Sequence, residues 1–260
     1  MRNNEQRVLF LGFEALLSPI RLFATSCRVL VFSIVNIRLH GREITNQMFE
    51  SAVLSLPIIL FSLTIVSLMS ILEFSWHMKL VLKQDALVPG FSMVLMVREV
   101  APVVTAMLLT SRVGASIAAE LGFMKVTEQL DQLKLLSVSE VEYLVIPRWV
   151  GCVFASITLT LASLVTSICV STGIASRFMN YQPHEFFNTL FVFTKAFDLG
   201  GGLLKAFCFG TIIPFVSCVC GLSCQGGSRG VGQAATRAVV QSCLFIIFAD
   251  FFLSYWLWTF

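Results

Sequence analysis

Residues 53–72, VLSLPIILFSLTIVSLMSIL, contain no charged side chain. An α-helix rises about 1.5 Å per residue, so a stretch of this length crosses the ~30 Å hydrocarbon core of a bilayer. Pro57 lies near its start, where we expect the helix axis to bend. The stretch therefore predicts a membrane-spanning helix, and the rest of the chain is interpreted outward from it.

The composition of the whole chain agrees with a membrane protein. Of its 260 residues 57% are hydrophobic and only 13% are charged, with a mean hydropathy of +0.85, whereas soluble domains carry about 25% charged residues. In a bilayer the backbone must satisfy its own hydrogen bonds, which long apolar stretches do as helices. We therefore expect an all-α integral membrane protein. The net charge of +3 does not indicate nucleic-acid binding, which needs a basic face.

Four further apolar stretches predict four further spans, at about 88–119, 146–172, 199–222 and 238–258. Two polar segments are interpreted as loops. The first follows span one and carries Glu73, His77, Lys79, Lys83 and Asp85. The second joins spans three and four and carries Arg177, Pro183, His184, Glu185 and Lys195.

The N-terminal segment, residues 1–45, differs from the transmembrane domain over 46–260. Charged residues recur every seven positions at Arg7, Glu14, Arg21 and Arg28, so one helix face is polar while the rest is apolar. This pattern is typical of an amphipathic helix that lies in the membrane interface. An ordinary spanning helix with a polar seam remains the alternative.

The distribution of Lys and Arg predicts the orientation. A cytoplasmic N-terminus and five spans would place the C-terminus outside, and the inside segments would then hold Arg2, Arg7, Arg21, Arg28, Arg38, Arg42, Arg112, Lys125, Lys134, Arg148, Arg229 and Arg237. The outside loops would hold only Lys79, Lys83, Arg177, Lys195 and Lys205. This excess follows the positive-inside rule.

Neither a metal site nor an ATP site is predicted. The closest group of cysteines, Cys218, Cys220 and Cys224, has no His or carboxylate nearby in the sequence to complete a metal ligand set. The glycine-rich run at 226–232 lacks the GxxxxGK[ST] pattern that cradles phosphates. We therefore expect a chain that is not an enzyme and binds no cofactor itself.

The stretch from Arg98 to Arg148 carries the most chemical information. Arg98 and Glu99 are ionisable groups inside an apolar span, where a charge normally faces a cavity or a partner. Small residues recur every four positions at Gly114, Ala118 and Gly122, which permits close helix packing. A buried ion pair and ordinary packing are the plain alternatives.

A more polar segment follows at 120–145. Within it Val126, Leu130 and Leu133 share one helix face, while Glu128, Asp131 and Gln132 point elsewhere. A short amphipathic cytoplasmic helix of this kind is suited to docking a soluble partner. A solvated loop is the alternative.

Two motifs in these regions resemble a known family. The run REVAPVVTAMLLTSRVGASIAAELGFMKVTEQLDQLKLLSVSEVEYLVIPR at 98–148 is similar to the signature region of MlaE (YrbE-type) permeases, and GGSRGVGQAATRAVVQS at 226–242 is similar to a second family segment. Asp250 also falls where family members carry an acidic residue. The resemblance extends over about 50–258.

The resemblance implies the membrane subunit of an ABC transporter that moves phospholipids between inner and outer membranes. It implies a multi-pass homodimer in the inner membrane, a cytoplasmic ATPase that uses ATP, a periplasmic MCE-domain protein and, in many systems, a STAS-domain protein. The coupling helix would be about 120–136, with contacts from Glu120, Lys125, Glu128, Gln129, Leu130 and Leu133. Arg98 and Glu99 would lie on the substrate path, and Arg112, Arg229, Arg237 and Asp250 are polar residues of the family motifs.

Some positions depart from the family pattern, and other functions remain open. Val100-Ala101 replaces a usual Leu-Gly, Ser228-Arg229 replaces Ala-Glu, and Gln233 replaces a basic residue; the reversal at 229 bears on the contact with the ATPase. A stand-alone secondary transporter or channel is one alternative, although no pair of matching halves is visible. A non-transporting scaffold for the MCE-domain protein is the other.

Overall fold

The computed structural model describes residues 41–81, 88–136, 141–178 and 182–259. Every regular element within these ranges is helical, which confirms the all-α class. The predicted N-terminal interfacial helix lies outside the described residues, apart from its last few positions. The α-helices are α1 Gly41–Ala52, α2 Leu56–Val81, α3 Val88–Leu95, α4 Ala101–Leu109, α5 Ala115–Val126, α6 Gln129–Leu135, α7 Ile146–Phe178, α8 Pro183–Phe193, α9 Ala196–Leu222 and α10 Gly227–Thr259.

Three short π-helical segments interrupt the helical runs. The first, π1 Met96–Val100, joins α3 to α4, and the second, π2 Thr110–Gly114, joins α4 to α5. The third, π3 Val141–Val145, leads into α7. Such segments insert an extra residue into the helical turn and are frequent at functional sites. The first of them carries Arg98 and Glu99.

Within the described ranges, five helical runs are long and apolar enough to cross a membrane, as predicted. They are Glu43–Met78, Gly90–Val126, Tyr143–Arg177, Ala196–Leu222 and Gly227–Leu257. Four of the five are clearly longer than the apolar stretches that predicted them. The predicted bounds follow the mean hydropathy of each stretch, whereas a helix continues through polar residues until its backbone meets a breaker.

Both predicted loops contain helix, so those interpretations were wrong in part. Helix α2 continues to Val81, and within it Glu73 Oε1 lies 3.6 Å from Nδ1 of His77, one turn further along. Between spans three and four, α8 begins with Pro183, a residue that suits the first turn of a helix. Its Phe186 and Leu190, also one turn apart, are buried.

The predicted coupling helix also has different bounds. Helix α5 continues the second span to Val126, so residues 120–126 belong to that span. A turn at Thr127 and Glu128 separates it from α6, and Glu128 has a φ of 59°. The described part of the connection between spans two and three therefore contains α6, a seven-residue helix that begins directly after Glu128.

The described residues form two compact units. Unit 1 comprises 41–49, 110–136, 141–152 and 211–244, and unit 2 comprises 50–81, 88–109, 153–178, 182–210 and 245–259. In unit 2 an apolar core of Ile71, Met93, Ala175, Phe186 and Leu190 joins α2, α3, α7 and α8. In unit 1 the ring of Trp149 packs on that of Phe215, with 6.4 Å between centroids.

Hydroxyl groups hold the spans of unit 2 together at several depths. Ser67 donates to Ser167 across 2.8 Å, and Ser156 donates to the carbonyl of Ala206 across 2.7 Å. Both contacts are buried and join different helices. In a bilayer the hydrophobic effect does not drive helices together, since the lipid tails are as apolar as the helices. Interhelical hydrogen bonds of this kind therefore contribute to helix association together with close packing.

Candidate functional site

Unit 2 contains a buried cluster of ionisable side chains at its centre. Lys205, in α9, is fully buried. Its ammonium lies 2.5 Å from Glu99 Oε2 and 2.8 Å from Asp250 Oδ1. It also donates to Ser254 Oγ across 2.6 Å. The ammonium thus donates two hydrogen bonds, to Glu99 and Ser254, and forms an ion pair with Asp250, whose Oδ1 has no hydrogen-bond partner among the described residues. A buried lysine needs such partners.

Ser254 completes this cluster by linking its charged members. Its hydroxyl accepts from Lys205 and lies 3.0 Å from Glu99 Oε1, to which it donates. Asp250 and Ser254 are one turn apart on α10, so one face of this helix supplies both groups. We call Glu99, Lys205, Asp250 and Ser254 the lysine cluster.

A second ion pair lies beside the lysine cluster in sequence. Arg98 contacts Asp198 Oδ1 through Nε at 2.9 Å and through Nη2 at 2.7 Å. Adjacent residues on a helix point about 100° apart, so Arg98 and Glu99 reach different partners. Those partners, Asp198 and Lys205, are seven residues apart on α9 and therefore share a face.

Asp198 is held in place by the start of its own helix. Its Oδ2 accepts from the backbone N–H of Lys195 at 2.8 Å, the reciprocal half of a capping box. The carboxylate is nearly inaccessible, whereas the side chain of Arg98 is 34% exposed. Arg98 is therefore the accessible member of this ion pair, whereas Asp198 is buried and held by its hydrogen bond to the backbone of Lys195.

The described residues thus place three of the predicted site residues, Arg98, Glu99 and Asp250, in these contacts. Glu99 lies in the lysine cluster with Asp250, which was predicted only as a family-motif residue. Arg98 instead pairs with Asp198. Sequence reasoning missed Asp198, Lys205 and Ser254 as partners. Lys205 was counted among the loop residues, and this was wrong, because it lies inside the fourth spanning helix. The signal was present, since the predicted span at 199–222 already contained this charge.

Unit 1 carries the remaining predicted residues around the connection between spans two and three. Glu120 forms an ion pair with Arg148 at 2.9 Å, and Arg148, which is buried, also donates to the carbonyl of Leu144. Lys125 donates to the carbonyl of Leu222 at 2.5 Å. That carbonyl ends α9, where a cation is favoured by the helix dipole.

In the sequence, α6 therefore lies between two residues that hold neighbouring spans together, Lys125 before it and Arg148 after it. Leu130 points inward and is 5% exposed, and Leu133 is half-buried. The exposed residues of this segment are Glu128, Gln129, Asp131, Gln132, Leu135 and Leu136. A partner that docks here would meet these side chains rather than Leu130.

The small residues of the second span lie against α9 within unit 1. A Cβ on Gly114 would lie 3.0 Å from Ser217 Oγ, and one on Gly122 would lie 3.5 Å from Cys224. In the reverse direction, a Cβ on Gly221 would lie 2.9 Å from the carbonyl of Ala118. The two helices approach closely because neither carries a larger side chain there.

The predicted motif residues outside these clusters are more exposed. Arg112 is half-buried in π2, and Arg229 is exposed near the start of α10. Arg237 lines an open groove of about 400 Å³ with Gln233, Thr236, Val240 and Gln241. Within the described ranges, no three His, Cys, Asp or Glu residues are grouped closely enough to hold a metal ion.

Comparison with known proteins indicates the family of this chain. The family model described as Permease MlaE matches residues 44–256. A "Probable ABC transporter permease protein" of Synechocystis is 42% identical over 61% of this chain and 60% of its own length. One of Rickettsia typhi is 30% identical over 90% of both chains.

A plant protein extends the similarity to a plastid. The Arabidopsis thaliana protein named TRIGALACTOSYLDIACYLGLYCEROL 1, chloroplastic, is 30% identical over 86% of this chain and 64% of its own length. The family match covers both ion-pair regions, the connection that holds α6 and all five spans except their outermost residues. Two of these relatives, from Synechocystis and Rickettsia typhi, are named probable ABC transporter permease proteins. The chain therefore belongs to the MlaE family of permeases, and its five apolar helices are those of a multi-pass membrane protein.

Proposed function

We propose that the chain is the membrane subunit of an ABC transporter that moves phospholipids between the inner and outer membranes. Membership of the permease family over residues 44–256 carries this proposal. The name of the Arabidopsis relative contains a galactosyl diacylglycerol, which supports a lipid substrate. Two copies would form the transport unit, in the cytoplasmic membrane with the N-terminus inside.

The energy in this proposal comes from a separate ATPase subunit. The glycine-rich run at 226–232 starts in the bend before α10 and continues into the first turns of that helix, and its first two residues, Gly226 and Gly227, have φ of 92° and 69°. Only glycine adopts such angles without cost, so backbone geometry explains these two residues. ATP would be bound and hydrolysed by the partner, while an MCE-domain protein would receive the lipid on the opposite side. A STAS-domain protein would act on the ATPase.

Helix α6 is the docking element for the ATPase in this proposal. The segment 128–136 exposes the carboxylates of Glu128 and Asp131 together with Leu135, which is 86% exposed, and Leu136. Apolar side chains beside carboxylates suit a protein groove that is lined with basic groups. The contacts of Lys125 with Leu222 and of Glu120 with Arg148 would pass a movement of α6 to the third and fourth spans.

The headgroup site in this proposal is centred on Arg98. A guanidinium binds phosphate through two N–H groups, and that of Arg98 is partly exposed while its acid is not. A phosphate could therefore share Arg98 without displacing Asp198 from its helix cap. Glu99 has a different role, because its carboxylate neutralises the buried Lys205.

The test is lipid transfer between vesicles by the chain reconstituted with its ATPase and MCE-domain protein. We expect ATP-dependent transfer, and we expect Arg98→Ala to lower it at least tenfold, which is about 1.4 kcal/mol in the barrier. Arg177→Ala, at an exposed arginine on the third span, is the matched control and should transfer normally. Because Arg98→Ala also leaves Asp198 unpaired, the double variant with Asp198→Asn must be equally slow.

Two results would contradict the proposal. Full transfer by Arg98→Ala would remove the headgroup site and leave the transporter intact. Lipid movement that follows an ion gradient and needs no ATPase would instead support a secondary transporter. A pull-down from native membranes separates these from the scaffold alternative, because a scaffold would recover the MCE-domain protein without an ATPase.

A further inference from the structure

Helix α8 carries two exposed surfaces of different chemistry. Phe187 and Phe191 are one turn apart, and they are 40% and 73% exposed. They lie beside the buried face of α8. His184, Glu185 and Asn188 occupy the next part of the helix circumference and are exposed as well. Since successive residues rotate by about 100°, the phenylalanines and the polar groups form adjacent stripes, and Val192, which is 73% exposed, lies within the polar stripe near its C-terminal end.

The depth of α8 follows from what its buried face contacts. Phe186 and Leu190 pack in one core with Ile71 of α2 and with Met93 of α3. Ile71 lies at the end of the charge-free run 53–72, two positions before Glu73. Helix α8 is therefore level with the point where the first span changes from apolar to polar.

A spanning helix with exposed apolar side chains follows α8 in the chain. Helix α9 begins three residues after α8, and its exposed side chains include Phe197 and Leu204, seven residues apart on one face. In a span, such residues lie against acyl chains. At 11 residues, α8 is about 16 Å long and cannot cross the bilayer itself.

We propose that α8 is an interfacial helix that inserts Phe187 and Phe191 into one leaflet, at the boundary between headgroups and acyl chains. The partner of this surface is the lipid bilayer rather than a protein. The polar stripe faces water, and its groups are satisfied locally, with His184 and Asn188 3.2 Å apart. Amphipathic helices with this division of side chains lie in the plane of the membrane.

Site-specific photocrosslinking tests this proposal in the full chain. Phe191 and, separately, Phe187 are replaced by p-benzoylphenylalanine, and Asn188 on the polar stripe is the matched control. Each protein is irradiated in vesicles of radiolabelled phosphatidylethanolamine and phosphatidylglycerol, and also in native membranes. We expect lipid adducts several-fold more abundant at 187 and 191 than at 188 in both settings.

Equal lipid labelling at 188 and 191 would overturn the proposal, because the stripe would then have no defined orientation. Adducts of 191 with another protein chain in native membranes would also overturn it and identify a docking surface instead. Using two phenylalanine positions keeps the test valid if one variant fails to accumulate. The result does not depend on transport activity.

Discussion

Lys205 is the residue whose removal has the clearest expected cost. Its ammonium contacts two carboxylates and a hydroxyl while fully buried, so Lys205→Met leaves Glu99 and Asp250 close together without a counter-charge. Breaking a buried ion pair from one side costs about 3–5 kcal/mol. We expect Lys205→Met to lower the free energy of unfolding by that amount, measured by SDS titration in detergent micelles.

The control for this prediction is Lys195→Met, at an exposed lysine just before α9 whose backbone alone contacts Asp198. Its stability should change by less than about 0.5 kcal/mol. If Lys205→Met were equally mild, the lysine cluster would not exist in the membrane as described. Adding Glu99→Gln to Lys205→Met should recover part of the loss, since one uncompensated charge is then removed.

At the scale of single elements, α9 contains a glycine that the fold requires and one that it does not. A Cβ on Gly202 would lie 2.6 Å from the carbonyl oxygen of Val97 in π1, whereas one on Gly200 would meet nothing within 4 Å. Gly202→Ala must push the second and fourth spans apart, at a cost of about 1–3 kcal/mol.

Gly200→Ala should instead be neutral or stabilising by up to about 1 kcal/mol, because alanine favours a helix. The midpoints of thermal unfolding, followed by circular dichroism in detergent, compare the two variants. Equal midpoints would mean that spans two and four do not approach as closely as described.

The turn before α6 is a second element with a testable cost. Glu128 has a φ of 59°, which costs a residue with a Cβ about 1–2 kcal/mol. Glu128→Gly relieves that cost but adds chain entropy in the unfolded state, so we expect a net gain of roughly 0.5–1 kcal/mol. Glu128→Ala keeps the Cβ and should change nothing, and a gain in both variants would instead assign the effect to the carboxylate.

For the whole molecule, the five spans of the described residues predict that the segments before Glu43 and after Leu257 lie on opposite sides of the membrane. The positive-inside rule predicts that the connection holding α6 is cytoplasmic and that α8 and the C-terminus are outside. Green fluorescent protein fused after Leu136 should fluoresce, and alkaline phosphatase fused after Phe260 should be active. If the same reporter were active at both positions, the prediction of three spans between Leu136 and Phe260 would be wrong.

Correcting the position of Lys205 leaves this orientation unchanged. The residue is buried in α9 and no longer counts toward either side, so the outside loops lose one of the lysines assigned to them. The bias of Lys and Arg toward the inside segments therefore becomes larger.

The sequence by itself determined the class of the protein, the number of its spans and its family. Each of these depends on local information. Twenty uncharged residues must be helical in hydrocarbon because the backbone has no other partner, and a long motif is recognised without knowing where its side chains point. The ionisable residues inside the spans were visible as well, since a charge in an apolar stretch is conspicuous.

Only the tertiary structure decided which charges meet and where the helices end. Glu99 and Lys205 are 106 positions apart, and no local pattern pairs them, because pairing depends on how three helices rotate against one another. The same holds for Leu130, whose apolar face turned out to pack inward. The helices extend past their apolar stretches because backbone hydrogen bonds form whether or not a side chain is charged. The predicted bounds of the spans followed hydropathy, which decreases at charged residues.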